Sequence, residues 1–215
     1  MPYSIALRVR RKLRKALGFK VNDSFPSDLD YWDTRYKSGR SSGPGSFGEY
    51  RDRKWSIIEQ YVDVRTKSVL DVGCGDLNFW FGRSCLSYSG IDFSPDVIAK
   101  DRRLYPTRNF LCANASDTLD VHGQVVLCMD VLFHVMKDQD FCSILRNLSK
   151  WTDEILFVYT WYRSPFGDSD TDGKYQKFRP IQEYLSLLPT LELQAVHTCD
   201  DVGALYVFKR RSEPT

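Results

Sequence analysis

"SVLDVGCGDLNFW", residues 68–80, reads as a buried strand running into a glycine turn. Val69, Leu70 and Val72 are strand formers, and Gly73 and Gly75 then open a tight corner. Glycines there let a ligand approach the backbone closely, and the pattern predicts a helix N-terminus just beyond. A dinucleotide fingerprint would read G-x-G-x-x-G. Here Asn78 stands in place of the third glycine. Asp71, near the strand's end, would repel a pyrophosphate. It suits a ligand with a positive amino group or sulfonium instead, though an acid there can also cap a helix.

Outward from that strand the chain alternates. Segments 88–92, 109–113, 124–130 and 154–160 read as further strands. A helix is expected near 77–84, another near 95–103, and a clear one over 138–150. There Phe141, Ile144, Leu145 and Leu148 follow the helical period. Pro180 suits the first turn of a helix running to Leu188. "LELQAVHT" and "ALYVFKR", joined by "CDDVG", read as an antiparallel hairpin. Upstream, "EYRDRKWSIIEQYV" (49–62) reads as a helix with Trp55, Ile58 and Val62 on one side. Strands alternating with helices imply an α/β fold, a mostly parallel sheet with helices on both faces.

Length and composition fit this. A chain of 215 residues with 27% charged residues matches one ordinary globular domain. The six cysteines include no C-x-x-C pair, so zinc is not expected and reduced thiols in the cytoplasm are. Net charge is +2, but the first 20 residues hold seven Lys or Arg and no acid. Their Ile5, Val9, Leu13 and Leu17 recur every four residues, which predicts a basic amphipathic helix suited to an anionic membrane surface. Nucleic acid and a partner protein are the other readings of that segment. The chain therefore divides into this helix (1–20), a linker and lid (21–48) and one α/β domain (49–215).

A parallel sheet binds its ligand beyond the carboxyl ends of its strands. Those ends carry Asp71, Asp92, Ala113-Asn114-Ala115 and Asp130. An acid about 20 residues after the first can accept both hydroxyls of a ribose. Four such positions suit one adenosine-containing ligand, and S-adenosylmethionine carries both an ammonium and a sulfonium for Asp71.

"VLDVGCG", "GIDFSPDVI", "ANASD" and "MDVLFHV" resemble successive motifs of the class I S-adenosylmethionine-dependent methyltransferases. "YWDTRYKSG" followed by "GSFGEY" resembles the N-terminal segment of a subset of that superfamily. The resemblance covers roughly residues 31–160. It implies a Rossmann-like domain whose seven-stranded sheet ends in an antiparallel strand. It also implies that Gly73, Cys74 and Gly75 line the methionine moiety, with Asp92 on the ribose. Phe93 would lie along the adenine, with Asn114 and the backbone of Ala115 at its amino edge. Tyr31 and Tyr36 would close over the cofactor. Two departures stand out: Leu77 where many members have a third glycine, and Asn114 where an acid is common.

The expected activity is methyl transfer to a small molecule or a saccharide, lipid-linked acceptors included, giving S-adenosylhomocysteine. The alternatives are a protein or nucleic-acid acceptor, or a domain that binds the cofactor without catalysis. No "N-P-P-Y" or "D-P-P-Y" follows strand four, which disfavours nucleic acid. His134 and Asp130 are the candidate catalytic residues, His134 having a structural reading as well. The loop "WYRSPFGDSDTDGKYQKFR" (161–179) is long for a compact domain and rich in aromatics. It makes Tyr162, Arg163 and Tyr175 candidates for contacting the acceptor.

Overall fold

The computed structural model describes residues 27–212. The helix expected over 1–20 lies outside the described residues. Helix α1 (Asp28–Lys37) is capped by Ser27, whose side chain accepts from the Asp30 N–H. Acids in its first turn and Arg35 and Lys37 in its last complement the helix dipole. Helix α2 (Gly48–Tyr61) follows a glycine-rich connection.

Seven strands form one sheet: β1 (Ser68–Val72), β2 (Ser87–Asp92), β3 (Asn109–Cys112), β4 (Gly123–Met129), β5 (Thr152–Trp161), β6 (Leu191–Thr198) and β7 (Gly203–Arg210). Their order is β3-β2-β1-β4-β5-β7-β6. The first five run parallel, and β7 lies antiparallel between β5 and β6. Helices α3 (Pro95–Leu104) and α4 (Asp138–Trp151) make the crossovers after β2 and β4. The fold expectation, including the antiparallel end, is met.

Strand side chains alternate between two cores, as the pleat requires. Val125, Leu127, Ile155 and Phe157 join Trp55 and Ile58 of α2 and Val97 and Ile98 of α3 on one face. Leu70, Val126, Cys128, Leu156 and Val158 meet Phe141, Ile144, Leu145 and Leu148 of α4 on the other. Each fully buried side chain of this kind contributes about 1.5–3 kcal/mol. All six cysteines are free thiols. No helix among the described residues is long and apolar enough to cross a membrane.

Two expectations are corrected. No α-helix follows the glycine turn; only a short 3-10 turn, Asn78–Trp80, is present. Leu77 sits at φ +58°, in the left-handed region, which stops a helix from starting there. Phe79 and Trp80 then turn inward onto Trp55, at ring separations of 5.0 Å each. The segment after Pro180 is likewise a 3-10 helix, Ile181–Leu187, rather than an α-helix.

Candidate active site

The switch point of the sheet lies where β1, between β2 and β4, sends its chain upward. A cavity of about 400 Å³ opens there, above the carboxyl ends of β1 to β4. Its floor is the turn after β1. Gly73 and Gly75 have φ of +74° and +54°. A Cβ on Gly73 would lie 2.3 Å from Val131 Cγ2, and one on Gly75 would lie 2.3 Å from Ser42 Oγ. Both conformation and space therefore demand glycine. Gly73 and Cys74 line the cavity, while Gly75 acts through its backbone.

Asp92 closes β2 at the cavity wall. Its Oδ2 accepts the Gly75 N–H at 3.1 Å and its Oδ1 the Ser94 N–H at 2.9 Å. One lone pair on each oxygen remains for a pair of hydroxyls. Burial, helped by the nearby Asp71 charge, pushes its carboxyl up to about 6, against backbone bonds from Ser94, Gly75 and Phe93 that favour the ionised form. Asp71 is buried under the turn, and its Oδ2 accepts from Trp80 Nε1 at 2.8 Å and Tyr88 Oη at 2.9 Å. Burial lifts its pKa to about 6. It caps no helix, and it holds the turn onto two aromatic side chains while lining the cavity.

Phe93, Asn114 and Ala115 line the edge above β2 and β3. The Asn114 side chain is partly committed: its Oδ1 accepts the Ser116 N–H at 3.0 Å in a local turn. Asp28 and Asp140 line the same cavity and were not singled out from sequence.

Above β4 stands an ion pair missed by the sequence reading, its lysine buried and its aspartate half-buried. Lys54, only 1% exposed, donates to Asp130 Oδ2 and to the Gly45 carbonyl at 3.1 Å. Its ammonium lies 3.7 Å from the centre of the Tyr159 ring. Asp130 adopts φ +61°, and a Cβ on Gly45 would lie 2.6 Å from its Oδ2. The sequence signal was available: Lys54 precedes Trp55 and stands four residues before Ile58, on the buried side of α2. His134 lines the cavity nearby. Its Nδ1 is 3.2 Å from the Tyr175 carbonyl, which can only accept, so Nδ1 carries the proton and Nε2 the lone pair. Burial pushes its pKa down to about 4, so the ring is neutral at pH 7.

Helix α1 and the loop after β5 form the roof. Tyr31 stacks on Tyr175 at 4.2 Å, and Trp32 meets His134 edge-on at 4.9 Å. Tyr36 Oη pairs with Ser42 Oγ at 3.2 Å, and burial raises its phenol pKa well above the usual range. Ser42 in turn donates to Asp76 through Oγ (2.7 Å) and N–H (3.0 Å). Ser94 Oγ binds Asp33 at 2.6 Å, and Asp28 accepts the Met136 N–H at 3.1 Å. Arg35 lines the cavity, with its Nε on the Ser41 carbonyl at 2.6 Å. The expectation for Tyr162 and Arg163 is corrected: neither lines the cavity. The Tyr162 hydroxyl bonds the Asp201 carbonyl at 3.0 Å, because alternation along the chain leaving β5 turns Trp161, not Tyr162, to the cavity side.

Residues 70–152 match a family model described as a methyltransferase domain. No curated protein matches the sequence. The fold is close to several solved structures. The N-methyltransferase NodS from Bradyrhizobium japonicum WM9, in complex with S-adenosylhomocysteine, aligns with TM-score 0.63 at 11% identity, over 86% of this chain and 100% of that one. Magnesium protoporphyrin IX methyltransferase (ChlM) from Synechocystis PCC 6803, with bound S-adenosylmethionine, aligns with TM-score 0.62 at 16% identity, over 89% and 100%. The cyclase SpnF aligns with TM-score 0.61 at 14% identity, over 85% and 93%. The fold is thus that of the class I S-adenosylmethionine-dependent methyltransferases.

Proposed function

We propose that this chain transfers a methyl group from S-adenosylmethionine to a small molecule, a sugar included. The carrying observation is the pairing of a glycine floor with a bidentate acceptor, Asp92, at the switch point. That pairing suits a ribose beside a chain that must approach the backbone closely. S-adenosylmethionine, when bound, supplies an electrophilic methyl on a positively charged sulfur.

The residues divide the work as follows. Asp92 holds the ribose diol through its two free lone pairs. Gly73 to Gly75 admit the methionine part. Arg35, the one side chain lining the cavity among the described residues that is a cation at pH 7, takes the methionine carboxylate. Asp71 and Asp130 stand near the positive groups. Phe93 and Ala115 flank the adenine. The roof of Tyr31, Trp32 and Tyr175 excludes water and orients the acceptor, which is the main requirement of an in-line transfer. His134 holds its lone pair at Nε2, ready to accept the acceptor's proton. A weak base suffices, because an oxygen that has just gained a methyl is far more acidic than an imidazolium.

The stacked roof supports a small acceptor over a protein or nucleic acid. The "YWDTRY" segment within α1, by this reading, marks the subset with a cofactor lid. We further propose a cytoplasmic protein held at anionic membranes through residues 1–20. The likeness to SpnF keeps a cofactor-binding domain with other chemistry as the second reading.

The test is binding. A ligand at a hundred times its dissociation constant stabilises the fold by ~2.7 kcal/mol. For a domain of this size that raises Tm by roughly 5–10 °C. S-adenosylhomocysteine should produce this shift and NAD none. The reverse pattern would remove the proposal.

A further inference from the structure

We infer that the acceptor is an uncharged aromatic compound, a class narrower than the small molecules and sugars proposed above. The inference rests on that reading of the cofactor site and concerns what the cofactor leaves free. Once Asp92, Phe93 and the glycine floor are assigned, the rest of the cavity lies above β4 and β5.

That part is walled by rings. Phe133 and Trp161 stack at 4.3 Å with planes 7° apart, and both line the cavity. Trp32 and Tyr175 from the roof and His134 from the turn after β4 complete the wall. His134 contributes as a neutral imidazole. A planar apolar ring entering here gains burial against five rings, plus the geometric preference of aromatic pairs.

Charge points the same way. Six carboxylates line the cavity: Asp28, Asp71, Asp76, Asp92, Asp130 and Asp140. Arg35 is assigned to the methionine carboxylate. Lys54 is 1% exposed and already serves Asp130 and Gly45. With His134 neutral, no cationic side chain lining the cavity among the described residues is left for an anionic acceptor, which would lose hydration and meet carboxylates. A polyol is poorly served too. Ser46 Oγ is already donated to the Gly43 carbonyl and Asp130 is paired with Lys54, which leaves Gln176 as the neutral polar side chain beside the rings for a polyol to engage. Sites built for sugars or other polar ligands need precisely placed polar partners.

The experiment uses the full chain. S-adenosylhomocysteine binding is first measured by calorimetry. Tryptophan fluorescence of that complex is then titrated with para-cresol, with para-hydroxyphenylacetate and with methyl glucoside. Para-cresol is expected to bind at least about tenfold more tightly than either of the others. Phe133→Leu keeps an apolar side chain and should weaken para-cresol about tenfold, with S-adenosylhomocysteine affinity unchanged. Equal or tighter binding of the carboxylate or the glucoside overturns the inference and leaves the cofactor reading intact. So does para-cresol affinity indifferent to Phe133→Leu. Failure to bind S-adenosylhomocysteine at all removes the cofactor reading, and this inference with it.

Discussion

Asp92 and Asp101 are both buried aspartates, yet their surroundings give them opposite duties. Asp92 has two backbone N–H donors and faces the cavity. Asp92→Ala removes the acceptor for two hydroxyls and should cost about 2–4 kcal/mol of S-adenosylhomocysteine binding, measured by calorimetry. Its pKa of about 6 also sets a pH limit. The ionised form accepts both hydroxyls, so affinity in the parent protein should fall as pH drops below about 6, and Asp92→Asn should flatten that limb. Asp101 of α3 is fully buried, and neither carboxylate oxygen has a hydrogen-bond partner. Burial pushes its pKa up to about 7. A folded-state pKa raised above the unfolded 3.8 gives stability that is full below pH 3.8 and lost as pH rises through 7. Asp101→Asn should therefore raise Tm, by about 1–2 kcal/mol of stability at pH 8 and by less at pH 5. A melting series in which the gain does not grow from pH 5 to pH 8 would refute this. Asp92 was legible from sequence because its place at the end of β2 is fixed by chain order. Lys54 carried a signal in its helical place beside Trp55, but its role did not show, because a lysine beside arginines reads as solvated surface until its partner across 76 residues is known.

At the scale of elements, the strands and α4 followed from hydrophobic period alone, because each buries a regular stripe. The segment after the glycine turn did not. Its residues fit a helix locally, but Leu77 takes a left-handed conformation and is 3% exposed. Burial of Leu77, Phe79 and Trp80 outweighs the roughly 1–2 kcal/mol that left-handed backbone costs. Roof and turn meet at Gly75, where chain order also gave no hint of contact. Gly75→Ala puts a methyl against Ser42 Oγ at φ +54°. Ser42 can rotate away, but only by leaving Asp76 and Tyr36. The expected result is at least tenfold weaker S-adenosylhomocysteine binding by calorimetry with a Tm loss of only a few degrees. A collapse of the fold would show that the turn supports the sheet rather than the ligand.

The molecule as a whole combines a sheet domain with a charged N-terminal segment that the sheet does not require for its strand order. All seven strands lie within Ser68–Arg210. Deleting residues 1–20 should leave Tm and S-adenosylhomocysteine affinity unchanged. It should abolish cosedimentation with anionic vesicles, since seven cations near such a surface are each worth about 1 kcal/mol before screening by salt. Equal retention of full-length and shortened chains on those vesicles would end the membrane reading. The roof has a further consequence. Helix α1 and the connection after it are joined to the rest through side chains, at Asp28–Met136, Asp33–Ser94 and Ser42–Asp76, and not through any strand ladder. We expect them to open as a subglobal unit, leaving the sheet's backbone pairing whole. On the proposed function, product escape and cofactor exchange would thereby be uncoupled from denaturation. Warming or mild denaturant should speed the traffic through the cavity well before it threatens the fold.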